Sequence, residues 1–268
     1  MRVTNLGHAT LMVEMGGVRV LTDPNFDARL GGVLPRVRTT GLTWGALPAP
    51  DAVLLSHAHA DHLSFASLRA LTARLRVPIY APAGVARWLV ARGHPDARAI
   101  RPGESASISG AAGTVTVTAG AAAHEGSRYG FDRWGGRGDA NSYLIDSGAE
   151  SAFFAGDTGL RGDSHALVAQ AISARGRQLD AALLPIGRAP WWKPGFRRNH
   201  LSPADALELF DWLGARVLIP YHWGTFHHLT SGPFDAIQEL EARLADYPRR
   251  ADVRMVPPGA QLVLGVRS

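Results

Sequence analysis

The sequence predicts an α/β fold built as one domain over residues 1–268. Short apolar and β-branched segments, typical of strands, alternate with segments whose apolar residues recur at helical spacing. No linker, low-complexity tract or short-period repeat interrupts this alternation. The composition agrees, because 46% hydrophobic and 19% charged residues are ordinary proportions for a globular protein with a large core.

The first half of the chain begins with strands and continues into helices. The predicted elements are a hairpin over 3–13 and 18–21, a strand over 51–55, and helices over 65–75 and 85–92. Gly16 and Gly17 supply the hairpin turn. Ser64 is a candidate N-cap for the first helix, and Gly93 ends the second.

The second half starts as sheet and then alternates between helices and strands. The predicted elements are strands over 108–118, 142–145 and 152–154, a helix over 167–174, a strand over 181–184, a helix from 203, a strand over 217–219, a helix over 234–247 and a strand over 261–264. Ser202, Pro203 and Asp205 together form a helix start with an acid in capping position. Gly214 ends that helix.

Charge and cysteine usage narrow the chemistry. A net charge of +5 is compatible with nucleic-acid binding, but Lys193 is the only lysine and the arginines are dispersed, which does not favour such a partner. With no cysteine, the chain has neither disulfides nor thiolate ligands, so a bound metal would be held by imidazole and carboxylate. We also predict no signal peptide and no membrane span, hence a cytoplasmic protein.

A histidine-rich motif carries the strongest chemical signal. It places His57, His59, Asp61 and His62 within six positions after the predicted strand over 51–55. On an extended segment His57 and His59 point the same way, whereas Asp61 and His62 are expected to open the next helix and to face a second point. Chance clustering and a solvated polar loop are the alternatives, but the place between a strand and a helix favours a two-metal site.

Further donors follow other predicted strands. His124, Asp157 and His222 each come after a strand, where ligand sites of α/β sheets lie. A two-metal site also needs a carboxylate that can bridge the ions. Taken singly, the two histidines would be ordinary, and Asp157 could be a turn residue before Thr158 and Gly159.

Together these residues resemble the metallo-β-lactamase-fold hydrolases, whose H-x-H-x-D-H signature matches residues 57–62. Within that superfamily the chain is most similar to the N-acyl-phosphatidylethanolamine-hydrolysing phospholipase D family and its bacterial relatives. The other shared blocks are Gly7-His8-Ala9-Thr10, Leu21-Thr22-Asp23-Pro24, residues 153–159 (FFAGDTG), Leu184-Pro185-Ile186-Gly187, residues 200–206 (HLSPADA) and residues 222–226 (HWGTF).

The resemblance implies an αββα sandwich of two mixed β-sheets flanked by helices. It also implies two divalent metal ions, most often zinc, with manganese or iron as alternatives. The implied ligands are His57, His59 and His124 for the first metal, Asp61, His62 and His222 for the second, and Asp157 as the bridge between them. Asp23 would orient a ligand imidazole, or it simply starts a turn before Pro24, and His8 would also lie just outside the ligands.

The implied reaction is hydrolysis. A metal-bridging hydroxide would attack a phosphodiester of a phospholipid-like or small organic phosphate, with Asp61, Asp157 and His200 as catalytic residues. His200 would donate a proton or contact the phosphate. The alternatives are a lactonase, as in the similar ascorbate-6-phosphate lactonase group, and a metal-binding sensor without turnover.

Several features are left with open or ordinary interpretations. The loop over 191–198, which combines tryptophan with positive charge, is either a packed loop or a lid over an anionic substrate, and the same holds for residues 131–137. We expect no site role for four histidines: His94, His165, His227 and His228. Peripheral membrane contact and homo-oligomerisation stay open.

Overall fold

Two mixed β-sheets form the centre of the computed structural model, which describes residues 1–37, 47–128, 140–160, 165–187, 198–227 and 231–265. The strands are β1 (Arg2–Gly7), β2 (Thr10–Met15), β3 (Val18–Thr22), β4 (Arg29–Leu30), β5 (Leu34–Pro35), β6 (Ala52–Leu54), β7 (Ile79–Ala81), β8 (Ala97–Ala99), β9 (Ser105–Ser109), β10 (Thr114–Ala121), β11 (Asn141–Asp146), β12 (Ser151–Phe154), β13 (Ala181–Pro185), β14 (Val217–Tyr221) and β15 (Gln261–Val263). The helices are α1 (Phe65–Thr72), α2 (Ala83–Val90), α3 (Ala166–Ala174), α4 (Pro203–Leu213) and α5 (Asp235–Leu244).

One sheet has the strand order β15-β1-β2-β3-β6-β7-β8, and the other has the order β14-β13-β12-β11-β10-β9. Each is antiparallel at one end and parallel at the other. In the first sheet the pairs from β3 through β8 are parallel. In the second the pairs β12–β13 and β13–β14 are parallel. Strands β4 and β5 form a separate small hairpin.

Three apolar clusters define the layers. The largest lies between the two sheets and includes Val13, Leu54, Tyr143 and Phe154. A second packs α3, α4 and α5 on the outer face of the six-stranded sheet. A third packs α1 and α2 on the outer face of the seven-stranded sheet. The order helix, sheet, sheet, helix confirms the predicted αββα sandwich.

The predicted caps of α1 and α4 are present, whereas α2 ends at Val90 with Ala91 rather than Gly93 as its C-cap. Ser64 caps α1 by accepting a hydrogen bond from the Ser67 amide at 3.0 Å. Ser202 and Asp205 form a reciprocal capping box at the start of α4, with Pro203 in the first turn. Gly214 ends α4 in the left-handed conformation, at φ +61°.

Three local predictions were wrong. The segment over 3–13 is two strands, because Gly7 (φ +112°) and His8 (φ +56°) reverse the chain between β1 and β2. The segment over 108–118 likewise belongs to the two strands β9 and β10. Asp61 and His62 lie in a turn before α1 rather than in its first turn, since the His62 amide bonds to the carbonyl of His59.

Candidate metal centre

Six loops that follow strands meet at one edge of the sandwich. His8 and Asp23 directly follow β1 and β3, the motif over 57–62 follows β6, and the remaining three loops carry His124, Asp157 and His222 after β10, β12 and β14. His200 lies just before α4 and joins the same cluster. The packing of two sheets therefore brings all the sequence-predicted donors together, in groups whose ligand atoms lie within 4.8 Å of one another.

The first group consists of His57, His59 and His124. Nε2 of His124 lies 3.1 Å from Nδ1 of His59, and the rings of His57 and His124 are 4.5 Å apart. Nδ1 of His124 donates to the carbonyl of Asn199 at 2.7 Å, which leaves Nε2 with its lone pair facing the group.

The tautomer of His57 follows from its neighbour. The Ser56 hydroxyl donates to Oδ2 of Asp23 at 2.6 Å, so it can only accept from Nδ1 of His57, which lies 2.9 Å away. Nε2 of His57 therefore carries the lone pair and faces the first group. Such support of the second ring nitrogen is typical of metal-binding histidines.

The second group consists of Asp61, His62 and His222, together with His8. Nε2 of His222 lies 3.5 Å from Oδ2 of Asp61, and Nε2 of His62 lies 3.7 Å from the same oxygen. His8 approaches Oδ2 of Asp61 most closely, through Nε2 at 3.0 Å.

Asp157 lies between the two groups. Its carboxylate is 3.3 Å from Nε2 of His62, 3.4 Å from Nε2 of His222 and 3.5 Å from Nε2 of His200. It shares one possible donor set with His57 and His62 and another with His124 and His200. This carboxylate, which is only 2% exposed, is therefore the residue best placed to serve both groups.

Asp23 lies outside the donor groups and hydrogen-bonds to the motif over 57–62 and to the residue before it. Its carboxylate accepts the Ser56 amide at 2.7 Å and Nδ1–H of His62 at 2.7 Å. Because Nδ1 of His62 is used in this way, Nε2 faces Asp157. Asp23 thus lies where a carboxylate that orients a ligand imidazole would lie.

Backbone strain is concentrated at this site. In the described part of the chain, the non-glycine residues with positive φ are His8 (+56°), Asp23 (+34°) and His222 (+74°). Other contacts hold these conformations: the His8 amide donates to Oγ1 of Thr225 at 2.6 Å, and the His222 amide donates to the His8 carbonyl at 3.1 Å. Strained residues of this kind cluster at functional sites.

The donor set fits a divalent metal. Nε2 of His57 is buried and has no hydrogen-bond partner among the described residues, whereas Nε2 of His62 and Oδ1 of Asp157 are buried with only long contacts, at 3.3 Å to Asp157 and 3.4 Å to His222. Buried polar atoms are seldom left so, and a cation between them would satisfy all three. Nitrogen and oxygen donors without sulfur suit zinc, and also manganese or iron.

The electrostatics of the two groups differ. Burial lowers the pKa values of His57 and His59 and lowers that of His124 to about 4, so these imidazoles are neutral, as metal ligation requires. Burial also acts to lower the pKa values of His62 and His222, but nearby carboxylates outweigh it. Asp157 and Asp61 raise the pKa of His62 well above its usual value and that of His222 to about 9. The carboxylates of the second group thus favour the protonated forms of His62 and His222, and a bound metal would displace those protons.

Sequence reasoning missed two residues that help to position the donors, Thr158 and Ser56. Thr158 accepts a hydrogen bond from the Ala123 amide at 2.9 Å through Oγ1, and the Gly159 amide donates to the Ala123 carbonyl at 3.0 Å. These bonds join the loop of Asp157 to the loop of His124. Ser56, which lies between Asp23 and His57, was also missed. The only sequence feature that could have identified Ser56 and Thr158 is that each adjoins a predicted ligand.

Three further histidines of the described chain lie outside these groups. His94 and His165 are buried away from the donor sets, and His227 is exposed. His228 and residues 131–137 lie outside the described residues, as does all of 191–198 except Arg198. Within the described residues, no helix has the length and apolar character needed to cross a bilayer.

A family model described as a beta-lactamase superfamily domain matches residues 18–223, a span that includes the motif, Asp157 and His222. The chain belongs to the metallo-β-lactamase superfamily. A metal-dependent hydrolase of Deinococcus radiodurans, classed as UPF0173, is 30% identical over 97% of each chain. The protein is therefore a member of the metal-dependent hydrolases of this superfamily.

Two further comparisons give similar results. N-acyl-phosphatidylethanolamine-hydrolyzing phospholipase D 1 of Caenorhabditis elegans is 28% identical over 88% of this chain and 68% of its own length. The solved structure of Igni18, a metallo hydrolase of the archaeon Ignicoccus hospitalis, superposes with a TM-score of 0.69 at 22% identity and covers 99% of both chains. That structural similarity supports the fold.

Proposed function

We propose that this superfamily member is a dinuclear hydrolase that cleaves a phosphodiester in a phospholipid-like or small organic phosphate. The observation that carries the proposal is the pair of donor groups on either side of one buried carboxylate, Asp157. The relative from Caenorhabditis elegans, named as a phospholipase D, supports the phosphodiester over other esters.

The donor groups suggest how the ions would be held. His57, His59 and His124 would hold one ion, Asp61, His62 and His222 the other, and Asp157 would contact both. When bound, two divalent cations would supply a water activated as hydroxide near neutral pH and positive charge beside the oxygen that gains negative charge.

The chain's own residues prepare this centre. Asp23 keeps the proton of His62 on Nδ1, the Asn199 carbonyl keeps that of His124 on Nδ1, and Nε2 of His8 contacts Asp61. Burial lowers the pKa of His8 to about 3, so His8 contacts Asp61 as a neutral donor. Preorganised ligands of this kind need no rearrangement during the reaction.

The test is hydrolysis of bis(p-nitrophenyl) phosphate in parallel with a panel of lactones. We expect phosphodiester hydrolysis that a chelator abolishes and that added zinc or manganese restores. His59→Ala should be inactive, whereas His227→Ala, which changes an exposed histidine outside the donor groups, should retain activity.

Three outcomes would contradict the proposal. Activity that survives chelation, or that persists in His59→Ala, would exclude a metal-dependent reaction. Hydrolysis of lactones alone would make the protein a lactonase. Stable metal binding without turnover of either substrate class would make it a metal-binding sensor.

His200 is the candidate substrate contact. Its side chain is 26% exposed, and its ring lies 4.9 Å from that of His124, at the open side of the cluster. Because burial lowers the pKa of His200, we propose that it binds a phosphoryl oxygen as a neutral hydrogen-bond donor. His200→Ala should then lower kcat/KM by about 10- to 100-fold, the value of a hydrogen bond to a charged group.

The leaving group distinguishes this role from proton donation. A phosphate contact predicts equal losses for bis(p-nitrophenyl) phosphate and for a glycerophosphodiester, whose leaving group is an alkoxide. A much larger loss for the glycerophosphodiester would show instead that His200 protonates the leaving oxygen.

A further inference from the structure

Arg36, directly after β5 of the small hairpin, is anchored through two of its three guanidinium nitrogens. Nε donates to the carbonyl of Asp27 at 2.9 Å and Nη2 donates to the carbonyl of Asn25 at 2.7 Å. The guanidinium carbon lies 4.6 Å from the centroid of the Phe226 ring. Burial lowers the pKa of Arg36 to about 10, so the group still carries its charge near neutral pH. Arg36 is not itself a metal donor, so this anchoring calls for another explanation.

One set of these contacts leads to Asp61. Asn25, whose carbonyl Arg36 holds, is fully buried, and its side-chain amide donates to the carbonyls of Ala60 at 2.9 Å and Asp61 at 3.2 Å. The Asp27 carboxylate accepts the hydroxyl of Ser64 at 2.7 Å, which ties the same loop to the start of α1. The loop of residues 25–27 therefore bonds to the turn that contains Asp61, and Arg36 in turn bonds to two carbonyls of that loop.

The other set leads to His222. The Phe226 ring, under the Arg36 guanidinium, makes an edge contact with the His8 ring at 5.4 Å between centroids. The His8 ring in turn packs on the His222 ring at 3.8 Å and reaches Asp61 through Nε2. A β-bridge between the backbones of Arg36 and Phe226 fixes the position of Phe226, the first ring of this series.

We propose that Arg36 is a positioning residue for the second metal: through Asn25 and through Phe226 and His8 it sets the geometry of Asp61 and His222. The proposal rests on the two-metal centre of the proposed function. None of these Arg36, Asn25, Phe226 and His8 contacts involves the first donor group. Loss of Arg36 therefore weakens binding of the ion in the second donor group and leaves the ion in the first group unaffected.

The guanidinium is needed for its shape as well as its charge. It bonds to two carbonyls through different nitrogens while its flat face lies on an aromatic ring, and a lysine ammonium cannot do both. Arg36→Met should consequently lower affinity for the second zinc by about 10-fold, the low end of the effect of losing a direct partner of a metal ligand, because Arg36 acts on the ligands through Asn25 and Phe226. Arg36→Lys should restore little of it.

The experiment is a titration of metal-free, full-length protein with zinc in competition with a chromophoric chelator, which resolves two binding steps. Arg249→Met is the matched control, because Arg249 also lies over a phenylalanine, Phe210, at 3.9 Å and donates to a carbonyl, that of Ala215, at 2.5 Å. Its contacts are remote from the donor groups, so both zinc affinities should stay at the wild-type values.

The outcomes distinguish a failure of the Arg36 role from a failure of the two-metal centre. Wild-type protein that binds one zinc would contradict the two-metal centre itself. Wild-type protein with two sites, and Arg36→Met with two unchanged affinities, would overturn the role of Arg36 alone, as would full rescue by Arg36→Lys or equal weakening of both sites. If Arg36→Met does not fold, Asn25→Ala breaks the same chain of contacts and should show the same selective loss.

Discussion

Replacing Asp157 with asparagine is expected to lower phosphodiester hydrolysis on the order of 1,000-fold and to reduce the zinc content below two ions per chain. Although burial acts to raise its pKa, His222 and His62 hold the pKa of Asp157 well below its usual value. The side chain is thus a full negative charge between the donor groups. An amide offers similar shape without that charge. Steady-state rates and elemental analysis of the purified protein measure the two effects.

Asp180→Asn is the matched control for a buried aspartate. Asp180 is only 4% exposed and accepts the Ser151 amide at 3.0 Å, but it belongs to none of the donor groups. Its replacement should reduce the free energy of unfolding while zinc content and activity stay close to wild type. An Asp157→Asn protein with two zinc ions and normal rates would remove Asp157 from the centre.

Gly156→Ala should lower the free energy of unfolding of the metal-free protein by about 2–5 kcal/mol. Gly156 has φ +62°, and a Cβ built there would lie 2.6 Å from Cβ of Ser56 and 3.0 Å from the Asn141 carbonyl oxygen. The left-handed conformation and the clash each contribute to the loss. Because Ser56 supports His57 and Asp23, we also expect weaker zinc binding.

Gly214→Ala separates the two contributions. Gly214 has nearly the same φ, +61°, yet nothing lies within 4 Å of its Cβ position. That variant should lose only the conformational part, about 1–2 kcal/mol, and should bind zinc normally. Equal losses in the two variants, measured by urea unfolding, would show that Ser56 and Gly156 are not tightly packed.

Local sequence patterns predicted much of the fold. Capping signals at Ser64, Ser202 and Gly214 act within a few residues, so the helix boundaries they set can be read from the chain. The reversal at His8 was missed because its positive φ is held by contacts with distant residues. The Thr225 hydroxyl that accepts the His8 amide lies 217 positions away in the chain.

The candidate site divides along the same line. The spacing of the motif over 57–62 and the places of Asp157 and His222 after strands are properties of the sequence, and they predicted which side chains the fold brings together. Tertiary structure alone decided which ring nitrogen of His57, His62 and His124 faces the donor groups, because contacts with Ser56, Asp23 and the Asn199 carbonyl hold the other nitrogen. Donor identity depends on residue type, which the sequence specifies, whereas orientation depends on contacts that form only when the two sheets pack and bring their loops to one edge.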